Sequence, residues 1–181
     1  VASTRKGEFH KDPRQYVVIP AHTRILHKKL NEKQPALKKA LVEKGYNTAV
    51  IRGRRAVVAS GIAAAYVQEI LPDDVSFIKI GAYPIDEEWL AAQVSCHEKV
   101  LVVEELHPVV EEAVRQVAGT IPVSGKKNGV VPYEGELSTA SVAAILKSFG
   151  INPGEDYPAT SPVTDLPPRP PILCAGCMHR P

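Results

Sequence analysis

Two cysteines spaced as "CAGC", Cys174 and Cys177, form the most reactive side-chain pattern in this chain of 181 residues. Gly176 lets the chain turn sharply between the sulfurs, so the pair could ligate one metal ion or two corners of a cluster. Thiolates select zinc or iron–sulfur centres. A lone CxxC is half a site, and His179 could supply only one more ligand. The competing reading is an unoccupied pair. A second candidate is "VVASGIA", where Ser60 and Gly61 stand at a strand-to-helix turn whose backbone amides could hold a phosphate. It lacks the three glycines of a dinucleotide fingerprint and the lysine of a P-loop, and Ser60 also reads as a plain helix cap.

Glu104 and Glu105 end an apolar strand, where open α/β sheets place their ligands. Paired acids there could bind a metal or take a proton, or they could begin the next helix or pair with a basic partner across an interface. Cys96-His97 has the composition of a nucleophile beside a base. Adjacent side chains rarely face one another, so Cys96 is expected as a semi-buried small hydrophobe. His22 and His27 are five apart, poor spacing for one metal on a helical face, and read as surface or interface residues. No residue is assigned a catalytic role.

The elements that must position these groups are legible in the middle of the chain. "RAVVAS" (55–60) is a β-branched apolar run, followed by a helical pattern in IAAAYVQEIL that Pro72 and Asp73 stop. "VSFIKIG" (75–81) is the next strand, and Pro84 opens a helix over IDEEWLAAQV whose early acids suit its N-terminus. "KVLVVEE" (99–105) has the near-continuous apolar centre of a strand covered on both faces. Pro108 starts a helix through VVEEAVRQVA, "TIPVSG" (120–125) is a short strand, and STASVAAILKSFG is a helix capped by Ser138 and stopped at Gly150. The alternation predicts a three-layer α/β fold with a mostly parallel sheet. Before it lies a basic helical arm, about 20–44, expected to break at Pro35. After it comes a Pro-rich stretch with the composition of a linker.

Charge is divided along the chain. Residues 1–55 carry fourteen Lys/Arg against four Asp/Glu, and residues 56–181 carry eight against sixteen. The basic part has few aromatics and no nucleic-acid-binding motif, so it is expected to lie on an acidic surface rather than on nucleic acid. No apolar run is long enough to cross a bilayer, so no membrane partner is expected. Three cysteines suit a reducing, cytoplasmic compartment. The chain starts on Val1 and its one methionine is Met178, which points to a processed chain or a longer parent.

The closing "LPPRPPILCAGCMHR" resembles the linker and opening motif of the thiamine diphosphate-binding domain in the large subunit of the indolepyruvate:ferredoxin oxidoreductases, where LPPRPPxLCPGCPHR is typical. "YVVIPAHTRILHKKL", "VVASGIAAAYVQE", "IKIGAYPI", "KVLVVEELHPVVEEAVR" and "GELS" are similar to the same subunit in the same order, so the resemblance spans nearly the whole chain. It implies a transketolase C-terminal-like domain at 54–150. Residues 1–53 would be an arm and linker from a preceding pyrimidine-binding domain, and 151–181 a linker and the start of the diphosphate-binding domain.

For the intact enzyme the resemblance implies thiamine diphosphate with Mg2+, 4Fe-4S clusters, coenzyme A and an aryl pyruvate as substrates, and a small beta subunit and ferredoxin as partners. No cofactor is expected in this segment, which would be a structural and interface domain rather than a catalytic one. Cys174 and Cys177 map onto a motif that holds two cluster corners in related oxidoreductases, although Ala175 and Met178 stand where prolines are usual. Arg24, Lys28 and Lys29, with Glu104 and Glu105, are the expected interface residues. The alternative is a stand-alone module that binds an acidic partner or nucleic acid through the arm.

Overall fold

The computed structural model describes residues 7–155 and the single residues 157, 165, 167 and 178. Cys174 and Cys177 lie outside the described residues. The order of elements is α1 (Pro13–Tyr16), α2 (Pro20–Glu43), β1 (Asn47–Val50), β2 (Arg55–Ser60), α3 (Gly61–Ile70), β3 (Ser76–Ile80), α4 (Glu87–Val94), β4 (Lys99–Val103), α5 (Val109–Val117), β5 (Val123–Ser124) and α6 (Thr139–Ser148).

The five strands form one sheet in the order β1-β3-β2-β4-β5. β2 pairs in parallel with both β3 and β4, and β4 pairs in parallel with β5. Alternate residues of the strands feed two cores. Val57, Ala59, Leu101 and Val103 pack with α3 and α6 on one face, and Ala56, Val58, Val100 and Val102 pack with α4 and α5 on the other. The fold is the expected three-layer, mostly parallel α/β arrangement. Val100 to Val103 are all buried, as the apolar centre of "KVLVVEE" requires when helices cover both faces. Burying one such side chain contributes roughly 1.5–3 kcal/mol, so the sheet centre dominates the stability of the body.

Helix ends follow the sequence with small shifts. The α6 cap is a full capping box between Ser138 and Ser141, and Gly150 follows the C-cap with φ 86°. α4 starts three residues after Pro84, because the Asp86 carboxylate accepts the Trp89 amide at 2.9 Å and fixes the first turn there.

Two expectations are corrected. α2 runs unbroken through Pro35 for 24 residues. Pro35 withholds one amide, but propagation from strong helix formers on both sides outweighs a single lost bond. Gln34 Nε2 also donates to the Leu30 carbonyl, and Lys28–Glu32 and Lys39–Glu43 brace the two halves. The second correction is β1, a strand within the stretch read as arm and linker. It pairs antiparallel with β3, Asn47 opposite Ile80 and Val50 opposite Phe77. Asn47 is the reason the strand seats. Its side chain accepts the amides of Gly81 and Ala82 and donates to the Ala82 carbonyl.

Candidate functional site

β2 is the pivot of the sheet: β3 lies on one side of it and β4 on the other, so the strand order reverses between β2 and β4. Ligands of open α/β sheets bind in the crevice beyond the carboxyl ends at such a point. Ser60-Gly61 and Glu104-Glu105 flank that crevice. The Ser60 backbone stands at the N-cap of α3 but its hydroxyl makes no cap hydrogen bond. Tyr83, half exposed, follows β3 on the same edge of the sheet. Burial and the charge of Glu104 push the Tyr83 pKa up, and the nearby Ser60 hydroxyl partly offsets them.

Glu104 is buried. Its Oε2 accepts the Val110 amide at 2.9 Å and its Oε1 the Glu111 amide at 2.8 Å, so it satisfies two of the donors left free at the start of α5. Burial raises its pKa despite those bonds, with the Glu111 charge adding and Lys126 opposing. Glu105 Oε1 accepts the Leu137 amide at 2.9 Å, tying the β4 end to the segment before α6. Both acids therefore organise the backbone of their own domain.

Sequence reasoning missed the group next to them. Glu111 is fully buried and accepts from Arg115 Nε at 2.9 Å, Arg115 Nη2 at 2.7 Å, the Lys126 amide at 2.7 Å and the Lys127 amide. The i,i+4 spacing of Glu111 and Arg115 was visible; the loop that folds over them was not, because it comes from residues 124–128. Lys126 is buried too, with its ammonium on the Pro132 carbonyl and 5.6 Å from the centre of the Tyr133 ring. Burial lowers its pKa, and Glu104, Glu105 and Glu111 pull it back up.

Cys96 departs from its expected place. It is exposed, on the turn after α4, and its Sγ donates to the Gln93 carbonyl at 3.1 Å. That carbonyl belongs to the last turn of α4, where helices leave acceptors unused. The thiol also lies 3.6 Å from His97 Nδ1, so these neighbours do meet. His97 is buried, and its Nε2 has no hydrogen-bond partner among the described residues.

The basic arm is the other candidate surface. α2 has no buried residue. Lys38 pairs with Glu87 at 2.5 Å near its anchored end, and Lys28 reaches Glu32 at 4.0 Å. Arg24, Lys29 and Lys33 have no ion-pair partner among the described residues. His22 and His27 line a groove of about 940 Å³ between α1 and α2, with no shared metal geometry.

Among the described residues, no three His, Cys, Asp or Glu side chains are placed to hold a metal ion. Glu104 is saturated by backbone amides and Lys126 bonds a backbone carbonyl. The described residues do not fit a diphosphate–metal or cluster site, and what the arrangement does chemically is tie the carboxyl ends of β4 and β5 to the segments that follow them.

The chain is 36% identical over 195 residues to indolepyruvate oxidoreductase subunit IorA of Thermococcus kodakarensis, covering 96% of this chain and 29% of the relative. It is 33% identical over 190 residues to the subunit of that name from Methanothermobacter thermautotrophicus, covering 97% and 30%. For Archaeoglobus fulgidus the figures are 35% over 188 residues, 95% and 29%. The chain thus spans just under a third of the length of these curated relatives. No protein-family model and no solved structure matches it.

Proposed function

Because the chain is related over nearly its whole length to indolepyruvate oxidoreductase subunit IorA, we propose that it serves as the scaffold and interface domain of the large subunit of a thiamine-dependent aryl pyruvate:ferredoxin oxidoreductase. The observation that carries this reading is the collinear match over 95–97% of the chain. The sheet crevice supports it, since its acids are bonded to the domain's own backbone.

On this reading residues 54–150 are the transketolase C-terminal-like domain. Residues 1–53 arrive from a pyrimidine-binding domain and end in β1, and 151–181 lead into a diphosphate-binding domain. The parent decarboxylates an aryl 2-oxoacid, passes the acyl group to coenzyme A and reduces ferredoxin in the cytoplasm, with a small beta subunit as partner. Thiamine diphosphate with Mg2+ supplies the carbanion chemistry there and 4Fe-4S clusters carry the electrons. Cys174 and Cys177 would offer two cluster ligands in the intact enzyme. In the intact enzyme the strand-to-helix turn at Ser60 and Gly61 would offer backbone amides to a phosphate. Arg24, Lys28 and Lys29 form the interface, and Glu104 and Glu105 hold the strand end in place from within the domain.

The test is calorimetry of this chain with thiamine diphosphate and Mg2+, beside assembly of the parent carrying Arg24, Lys28 and Lys29 reversed to glutamate. The expected result is no saturable cofactor binding by the chain alone and weakened assembly of the variant parent at low salt. Tight cofactor binding, or unchanged assembly, overturns the reading. Salt-sensitive binding of the chain to duplex DNA would favour the stand-alone module instead.

A further inference from the structure

We infer that Cys96 is a site of reversible oxidation, where a hydroperoxide converts the thiol to a sulfenic acid that the turn after α4 then holds. The site lies just before Lys99, at the amino end of β4, so it is at the opposite end of the sheet from the crevice.

Cysteine is among the most buried residue types, and an exposed one is not explained by packing. Cys96 is exposed, and it is the one cysteine among the described residues. What distinguishes it is His97. That side chain is 5% exposed, its Nδ1 stands 3.6 Å from Cys96 Sγ, and its Nε2 meets no partner. A neutral imidazole carries its one proton on either nitrogen. A buried N–H without an acceptor is rarer and costlier than a buried lone pair without a donor. The orphaned Nε2 therefore takes the lone pair, and Nδ1 holds the proton and donates it toward the sulfur. His97 gives its only ring donor to Cys96 and leaves its other nitrogen unsatisfied.

The sulfur sits between opposite influences. Its own S–H donates to the Gln93 carbonyl at 3.1 Å, in the last turn of α4. Carbonyls at a helix end carry partial negative charge and disfavour a bare thiolate, which is the reactive form. The His97 donor acts the other way, because a hydrogen bond to an anion is roughly twice as strong as one to a neutral group. Glu98, the next residue, is paired with Arg54, so it adds no unpaired negative charge beside the thiol.

The same two contacts fit the product. The sulfur attacks one peroxide oxygen, and the S–O bond forms as the O–O bond breaks. For hydrogen peroxide the leaving hydroxide takes the thiol proton and departs as water, so the sulfur is oxidised and the peroxide reduced by the same electron pair. A sulfenic acid has an O–H to give and lone pairs that accept. The Gln93 carbonyl offers the acceptor and His97 Nδ1 the donor.

The experiment uses the full chain carrying Cys174→Ser and Cys177→Ser, in which Cys96 is the only thiol. It is treated with hydrogen peroxide, quenched with catalase and labelled with dimedone, which adds to sulfenic acids, and the adduct is located by mass spectrometry. One adduct is expected, on the peptide that holds Cys96, and none when dithiothreitol precedes dimedone. Cys96 should react faster in the folded chain than in the same chain unfolded in urea at equal pH. His97→Phe should slow the reaction by about tenfold, the scale of one hydrogen bond to a charged group. His97→Asn, whose amide N–H can stand where Nδ1–H does, should recover most of the rate. A merely structural histidine would change thermal melting without separating Asn from Phe in rate. Absence of the adduct, a folded rate no greater than the unfolded one, or equal rates for the two folded variants overturns the proposal. The comparison with the unfolded chain leaves position 97 intact, so it decides the matter even where a variant of the buried histidine fails to fold.

Discussion

Glu111 occupies a position more often taken by a bound anion, a concavity lined by successive backbone amides. The Lys126 and Lys127 amides point at its carboxylate, Arg115 closes the other side, and Gly125 lies against it. A Cβ on residue 125 would stand 2.6 Å from Glu111 Oε2 and 2.7 Å from Cδ. Glycine is required here for space. The prediction is that Gly125→Ala lowers unfolding free energy by about 2–4 kcal/mol, the scale of breaking into a buried hydrogen-bonded charge. Denaturant titration checks it, and a variant as stable as the parent chain would mean that the carboxylate moves aside freely. Little of this was legible beforehand. "SGKKNG" advertises a turn, but which side chain it wraps depends on a residue fourteen positions upstream. Ser60 does take the N-cap position of α3, but its hydroxyl makes no cap hydrogen bond.

For whole elements, the sequence is most readable where burial is two-sided and least where it is partial. The parallel strands announce themselves because both faces are covered and apolar residues run on continuously. β1 is four residues long with one buried position, so it resembles linker until its partner is known. α2 was readable as a helix, and the expected break at Pro35 was the error. Proline in a helix interior costs about 3 kcal/mol, yet neighbouring turns carry the helix across. Pro35→Ala should therefore strengthen α2 alone. Its amides should exchange at least about tenfold more slowly, while the melting of the body stays unchanged because no α2 side chain is buried. Hydrogen exchange with a parallel thermal melt tests both halves, and a shifted body transition would show that arm and body are coupled.

At the level of the molecule, the alternation of strand and helix was enough for the three-layer fold, and the charge division by itself pointed to a basic arm. Direction of β1 and the carboxyl edge of the sheet depend on which loops meet, and no single stretch encodes that. Stability of the whole should respond to pH in two opposing ways. Glu104 has a folded pKa raised above 4.5 by burial. Its contribution is full below the unfolded value and is lost as pH rises through the raised one. Glu87 and Glu112 are lowered, first of all by hydrogen bonds from Lys38 and Lys127. Their contribution is present above the ordinary carboxylate value and is lost as pH falls through the depressed one. Both are solvent-exposed pairs, so solvent and salt screen them. Relative to Glu104→Gln, the parent chain should gain stability between about pH 7 and about pH 4. A flat or falling difference across that window contradicts the burial argument.

The antiparallel strand has one more consequence, and it concerns solubility. An open sheet offers unpaired amides and carbonyls along its border strands, and other chains can extend the sheet there. This sheet is blunted on both sides. β5 contributes only two residues, and β1 is short, with exposed positions along its length. Without β1, the Ser76–Ile80 strand would become the border: five residues of aromatic and β-branched character around a single lysine. Such a segment is a template for cross-chain aggregation. Asn47–Val50 is therefore a guard for the body as much as the end of the arm, and any shortened version of this protein must keep it.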